Sequence, residues 1–564
     1  MNEQKRFAWV IVSALLQGIL LAMYAVARYE FVSYMPITLI VLIPFVFWLT
    51  QEHWGRRLNN FIIGLSIVLL IFYVYRLWSL YTPDGIFYLE NSQRSDLIRI
   101  SMAVFLLIPF FQCRIVSWSW RMPYADIFFQ FCRNLFLLFQ AAIVIAVFWG
   151  MLITAGLLFD IVGLEIVPFV ILNPFVSVPL TSLIIAISIS VAISHPGIDS
   201  LGRWILSVLA WLLPFFSFMS VIFMACLPFS GLKMLWNTGQ ASTLMLLLQF
   251  GTIILANAAW LDGSKNTFTN KYVNFAAQIA LLCLPVYFGM CIYSVGLRIE
   301  QYGLSVDRIQ AMFLVVVTGV WGMGYAGAVL LRVWPSSIGI VNVSSVVIMA
   351  VIVAAMNSPI LDPYKLAALN QSERLVTGEI SPENFDYIYA RFNLGRYGIS
   401  MLQKLEHDEN LNRPKILKGI NSAMSVAPKE YREYLENGVP PVLKRESIMA
   451  GANTYPEEKV LSVEFSRYLM EHWRENLDVL KNAVKPGDLA FIFTKLEAKN
   501  SNIIALTENS GIVFRVSGDV FERAGKISGT FELANIISTD IEILEPAFKN
   551  LKIGNETFQV TPTL

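Results

Sequence analysis

The chain has 564 residues, of which 56% are hydrophobic and only 15% charged, with a net charge of +1 and a mean hydropathy of +0.59. Soluble proteins average about 45 to 50% apolar and about 25% charged residues, so the composition excludes an ordinary soluble enzyme and indicates a membrane protein. Residues 1–358 carry 18 Lys and Arg against 13 Asp and Glu, and residues 359–564 carry 24 against 28; neither part has the basic density of a nucleic-acid binder.

A membrane-crossing helix needs roughly 20 apolar residues. Eleven runs qualify, near 7–27, 36–50, 61–80, 98–112, 134–159, 175–194, 204–228, 241–261, 272–296, 309–333 and 337–356. The second and fourth are short, which brackets the count at ten to twelve. Runs this long must be helical, because lipid offers the backbone no hydrogen-bond partner. Lys5 and Arg6 before the first run, with Ala25 and Ala27 at its end, also fit a cleavable leader, although the run exceeds the usual apolar length of about 7 to 15 residues.

Cytoplasmic loops are enriched in Lys and Arg. With the N-terminus cytoplasmic, eleven basic residues fall on the inner side and seven on the outer, and the odd span count places the C-terminal third outside, in the periplasm of a double-membrane bacterium. The stretch Ser117 to Cys132, with Trp118, Trp120, Tyr124, Phe128, Arg121 and Asp126, reads as an interfacial helix broken at Pro123, with a long loop carrying aromatic anchors as the alternative. Arg76, Arg99 and Arg332 lie near span ends and are expected to snorkel to the headgroups. Gln17, Gln249, Asn257 and Gln278 lie deeper and are expected to hydrogen-bond between helices.

Past Ser358 the pattern becomes soluble. Residues 359–412 read as a juxtamembrane helical segment: "DPYKLAALNQSERLVTG" has Pro near its start and Gly at its end, and "SPENFDYIYARFNLG" offers Ser381 as N-cap and Pro382 at the first helical position. Residues 413–456 read as a loop-rich connector with a short helix near Lys429 to Glu436. Residues 457–564 read as an α+β domain. Its helix carries an apolar stripe through Val460, Val463, Phe465, Leu469, Trp473, Leu477 and Leu480. After Asp488, alternation of period two in "LAFIFTKLE", "NIIALTEN", "IVFRVSGD", "GTFELANI" and "KNLKIGNETFQV" predicts a small antiparallel sheet. The fold class is therefore an α-helical polytopic membrane bundle followed by a soluble α+β domain.

Signatures of nucleotide-binding, metalloprotease and hydrolase chemistry are absent. The five cysteines form no CxxC pair and the four histidines are isolated, so neither a metal nor another cofactor is expected. Polar chemistry concentrates instead in "LRIEQYGLSVDR", between the ninth and tenth spans, and in the segment after the last span. Gly303 is expected to make the bend, with Arg298 to Asp307 or Glu300 to Arg308 pairing across it. Arg298 and Arg308 could also meet Glu383 or Asp386 and dock the tail, or Arg374, Arg391 and Arg396 could form a basic pocket for phosphate or an anionic headgroup.

These two stretches resemble the bacterial membrane family labelled domain of unknown function 4153. The matching residues are Arg298, Ile299, Tyr302, Gly303 and Arg308 in the first, and Gln371, Arg374, Leu375, Phe385, Asp386 and Leu394 to Gly398 in the second. The resemblance implies a multi-pass inner-membrane protein and supplies no active site. The candidate cluster is thus Arg298, Glu300, Tyr302, Arg308, Gln371, Arg374, Asp386, Arg391 and Arg396 at one membrane face. The expected partners are the lipid bilayer and an anionic lipid or envelope protein, without nucleic acid. The expected role is envelope interaction or sensing without catalysis, with carriage of a lipid-linked or small apolar substrate as the alternative and a membrane-embedded enzyme as the third reading.

Overall fold

A computed structural model describes residues 3–27, 35–80, 90–117, 122–161, 173–195, 197–230, 241–264, 271–408, 413–427, 430–431, 442–456, 459–480, 482–483, 487–495, 501–518, 520–529, 533, 551–553 and 556–558. Among them, eleven helices are long and apolar enough to cross a membrane. They are α1 (Glu3–Ala27), α2 (Met35–Thr50), α3 (Arg56–Leu80), α4 (Glu90–Ser117), α5 (Tyr124–Ile161), α6 (Pro174–Ile193), α7 (Gly197–Ser230), α8 (Ala241–Trp260), α9 (Lys271–Tyr302), α10 (Val306–Leu330) and α11 (Ile338–Met356). The chain is a multi-pass membrane protein.

Two expectations about these helices change. The fourth is longer than the apolar run 98–112, because its charged start remains helical and Asp96 and Arg99 within it are buried by pairing, as described below. The part of the expected interfacial helix after Pro123 is instead the start of a spanning helix, which begins at Tyr124, directly after the proline, and continues unbroken for 38 residues. Pro123 leads into the helix, a place where its missing N–H costs nothing. Trp118, Trp120 and Arg121 lie outside the described residues.

The bundle buries two apolar clusters. One joins α1, α2, α4, α5 and α6 through residues such as Ala14, Trp48, Ile108, Leu137 and Ile189. The other joins α7 to α9 through Leu213, Ala256, Trp260, Leu284 and Tyr287. Helix α10 serves both, giving Phe313 and Val317 to the first and Val315 and Tyr325 to the second. Close approach is built in where α1 meets α6: a Cβ on Gly18 would lie 2.2 Å from Pro179 Cα. Of the four amides expected to bond between helices, Gln17 and Asn257 do so, and Gln249 donates to Cys291 Sγ at 3.5 Å. Ser182 donates to Gln17 at 2.6 Å, and Asn257 and Asn342 join Tyr124, Trp321 and Tyr325 in one hydrogen-bonded group.

Beyond α11 come α12 (Pro363–Val376), α13 (Tyr387–Asn393), α14 (Gly395–His407) and α15 (Arg413–Ser425). Helix α12 starts as read, with Asp362 accepting from the Tyr364 N–H. The N-cap of α13 is Asp386, which accepts from Tyr389 N, and not Ser381, which lies in the preceding turn. The chain divides into two compact units, Met1–Gly419 and Ile420–Leu564.

In the second unit, α16 (Val442–Ala450) and β1 (Asn453–Tyr455) occupy what reads as loop. Of the helix expected near Lys429 to Glu436, only 430–431 are described, and they are helical. The long striped helix is instead α17 (Val463–Glu471), a 3-10 turn, and α18 (Leu477–Leu480). Phe465, Leu469, Trp473 and Leu480 are fully buried, whereas Val460 and Val463 are exposed. The buried stripe starts later than its sequence suggests, at Phe465, because Ser462 caps the start of the helix and leaves Val460 outside it.

The sheet has the order β1-β2-β3-β4-β5, from β2 (Ala490–Thr494), β3 (Ser501–Thr507), β4 (Ser510–Ser517) and β5 (Val520–Ser528). Strands β2 to β5 form an antiparallel meander, and β1 adds to β2 in parallel, so the sheet is mixed. Strand β5 runs through "VFERAGKIS", one segment before the expected "GTFELANI", most of which lies outside the described residues. Phe491, Phe514 and Phe521 from the sheet pack on Phe465 with ring centroids 5.1 to 6.0 Å apart. A separate hairpin joins β6 (Leu551–Ile553) and β7 (Glu556–Phe558).

Candidate functional site

Helices α9 and α10 are joined by three residues, Gly303 to Ser305. Gly303 has φ +74, a conformation that side chains disfavour, and a Cβ there would lie 2.6 Å from both Arg374 Nη1 and Gln371 Nε2. The turn therefore requires glycine for its backbone and for the side chains that close on it.

The last carbonyls of a helix have no partner within it, and here the tail supplies them. Gln371 Nε2 donates to the carbonyls of Tyr302 at 3.1 Å and Leu304 at 2.9 Å. Arg374 Nη2 donates to those of Gln301 at 3.1 Å and Glu300 at 3.4 Å, while its Nε pairs with Glu379 at 3.1 Å. Asn370 Oδ1 accepts from Leu304 N at 2.7 Å, and the Tyr389 hydroxyl accepts from Val306 N at 3.2 Å. Burial pushes the Tyr389 phenol up to about 12. The tail thus docks on the hairpin, but through backbone groups.

Of the candidate residues, Tyr302, Arg308, Gln371 and Arg374 meet at this turn, with Glu300 contributing its carbonyl. Arg308 folds back on its own turn, donating to the carbonyls of Gly303 at 2.7 Å and Tyr302 at 3.3 Å, with its guanidinium 5.3 Å from the Tyr302 ring centroid. The remaining candidates go elsewhere. Asp386 caps α13, and Glu383 pairs with Lys415 at 2.6 Å on the surface, which holds its carboxyl below the usual range. Arg391 is buried, with its guanidinium 4.6 Å from the Phe392 ring centroid, and Arg396 stacks 4.5 Å from that of Trp78. Arg374, Arg391 and Arg396 therefore each have a different partner and do not form a basic pocket together. Arg298 lies on an exposed turn of α9.

A second cluster was not anticipated. Arg76 at the end of α3, Asp96 and Arg99 at the start of α4, and Asp362 before α12 are all buried. Arg76 Nη1 meets Asp362 Oδ1 at 2.9 Å and its Nε lies 3.5 Å from Asp96 Oδ2; Arg99 Nη2 meets Asp96 Oδ1 at 2.6 Å. Arg76 also donates to the Met356 carbonyl and to Asn357 Oδ1, and its guanidinium lies 5.2 Å from the Tyr364 ring centroid. Tyr75 donates to Asp362 Oδ2 at 2.7 Å and its hydroxyl lies 3.2 Å from that of Tyr397. Burial pushes the phenols of Tyr364 and Tyr397 above their ordinary value.

Two guanidinium groups and two carboxylates balance to zero. Removing such charges from water is costly, and pairing into a neutral set is what makes it tolerable. Arg76 and Arg99 are therefore internal rather than snorkelling. The sequence did carry a signal for this, since Asp96 and Arg99 stand at i and i+3 on a helix and ionisable residues at span ends warrant a partner.

Together the turn contacts and the buried ions make α12 to α14 a rigid collar on the end of the bundle where α3, α9 and α11 finish and α4 and α10 begin. Among the described residues, no group of three or more His, Cys, Asp or Glu is arranged to hold a metal. No family model, curated protein or solved structure matches the chain.

Proposed function

We propose that the chain is an envelope interaction or sensing component of a bacterial inner membrane, a member of the family named above, with its N-terminus cytoplasmic and its C-terminal domain in the periplasm. The observation that carries the interaction role is a groove of about 500 Å³ on the second unit, between the start of α17 and the sheet. Val460 flanks it at 85% exposure, and Phe493, Ile503 and Phe521 line it. A groove that combines apolar walls with polar groups such as Glu464, Lys495 and Asn502 offers a partner both area to bury and groups to orient it, which supports a recognition role. An odd number of spans and the excess of basic residues on the inner side support the compartment.

A cleft of about 680 Å³ among α1, α2, α5 and α6 favours the second reading, a carrier of a lipid-linked or apolar substrate. Its walls are mainly apolar, with Gln17 and Ser182 bonded to each other.

The test is a pair of fusions after Leu564, one to a phosphatase that matures only outside the cytoplasm and one to a fluorescent protein that matures only inside. The fusions are combined with a photo-crosslinking residue at Val460. Phosphatase activity and one discrete crosslinked envelope protein are expected. Fluorescence without phosphatase activity refutes the compartment, and the absence of any discrete crosslink refutes the interaction role.

A further inference from the structure

Helices α4 and α10 both begin at the collar and run side by side into the bundle, and a cleft of about 350 Å³ lies between them. Its lining is graded by helical spacing. On α4, Ser95 and Arg99 precede Met102; on α10, Asp307 precedes Ala311 and Leu314. Each set follows i, i+4, i+7, so each lies along one face of its helix. At about 1.5 Å per residue, the polar groups gather toward the mouth, where Ile98 and Gln310 also line the cleft, and the lining roughly two turns deeper, Met102 with Phe313 and Leu314, is apolar. The cleft therefore matches a molecule with a polar head and an apolar chain.

Arg99 gives the head its chemistry. Its side chain is 3% exposed. Nη2 is held by Asp96, and Nε and Nη1 are buried without a hydrogen-bond partner. The guanidinium also lies 5.8 Å from the ring centroid of Phe313, which faces it from α10. A buried guanidinium N–H without an acceptor is costly, and phosphate oxygens are the acceptors that match guanidinium geometry. The first turn of α10, which begins at Val306 beside Asp307, adds the positive end of one helix dipole. A purely anionic head would face the Asp307 carboxylate at the mouth, whereas an ammonium group would be attracted to it.

We infer that this cleft binds an aminophospholipid, with its phosphate against Arg99, its ammonium at Asp307 and an acyl chain along Met102, Ala311 and Leu314. The site goes beyond the proposed envelope role and does not depend on which side the tail occupies. A bound lipid here would touch both a collar-linked ion and the wall of α10.

The test uses the full-length protein, stripped of lipid in detergent, with native mass spectrometry of added phosphatidylethanolamine, phosphatidylcholine and phosphatidylglycerol bearing the same acyl chains. Wild type is expected to hold phosphatidylethanolamine roughly tenfold or more tighter than the other two, the difference that one charge-assisted hydrogen bond supplies. Asp307→Asn, at an exposed position, removes that preference. Ala311→Trp fills the cleft and removes the tight adduct at an unchanged unfolding temperature. Arg99→Gln weakens all three lipids, and if that variant does not fold, the other two decide. Equal retention of the three lipids, tighter retention of phosphatidylglycerol, or an adduct and preference unchanged by Asp307→Asn or Ala311→Trp overturns the assignment.

Discussion

Substituting Arg76 by methionine tests whether the buried ions hold the collar. Methionine keeps much of the aliphatic stem but leaves Asp362 buried without its cation, while Asp96 keeps Arg99. Breaking a fully buried pair by deleting one partner costs about 3 to 5 kcal/mol. No discount for solvent applies, since both side chains are 0% exposed. Opening of the collar should therefore rise by at least about a hundredfold. Trypsin cleavage after Arg391, which is 5% exposed in the closed collar, reports that opening in the purified full-length protein, provided closing outpaces cleavage.

The second substitution makes the reasoning specific to charge. Asp362→Asn retains a good N-cap for α12 but removes the carboxylate, so Arg76→Met with Asp362→Asn deletes one cation and one anion and restores neutrality. The double variant then lacks only hydrogen bonds, at about 1 kcal/mol each. It should be cleaved more slowly than Arg76→Met alone by roughly thirtyfold, the equivalent of about 2 kcal/mol. Wild-type cleavage in Arg76→Met, or a double variant cleaved as fast as the single one, would refute the argument.

Gly303→Ala should loosen the same collar from the other side. Its φ of +74 costs about 1 to 2 kcal/mol for any other residue, and the added Cβ displaces Arg374 and Gln371; faster exchange of the Leu304 and Val306 amides would register it. In the second unit, hydrogen bonds from Arg523 at 2.7 Å and Lys526 at 3.0 Å hold the Asp478 carboxyl down at about 2. The folded value lies below the unfolded one of about 3.9, so this stabilisation is complete above about pH 4 and is lost as pH falls toward 2. Because the pair is partly exposed, the loss should stay under about 1 kcal/mol and shrink with salt. Acid unfolding of Asp478→Asn beside wild type measures it, and identical pH profiles would show that the pairing contributes nothing.

The bundle was legible because lipid leaves long apolar runs no alternative to helix, and the start of α12 because Asp362 and Pro363 spell a cap. The sheet was legible in period two, except at β1, whose three residues pair in parallel and are too few to alternate, and at β5, where "VFERAGKIS" alternates weakly because charged residues such as Glu522, Arg523 and Lys526 line this edge strand. The turn at Gly303 was found for the right reason, yet its partners were misassigned. Charged side chains suggested charged partners, whereas Arg374, Gln371 and Arg308 serve carbonyls at the end of α9, and carbonyls leave no mark in a sequence. The four buried ions escaped because each, taken alone, looks like a residue at the end of a span. Their kinship exists only across the fold.

That kinship also has an order in time. Arg76 pairs with an aspartate 286 residues further along the chain, while Asp96 and Arg99 arrive with the next helix. Once the third and fourth helices are in the membrane, two cations share a single carboxylate, and this corner of the protein carries one uncompensated charge through the synthesis of seven more helices. Neutrality is reached only when Asp362 emerges past the last of them. The buried ions therefore act as a register of completion, since the bundle is electrically closed only once the full set of crossings has been made.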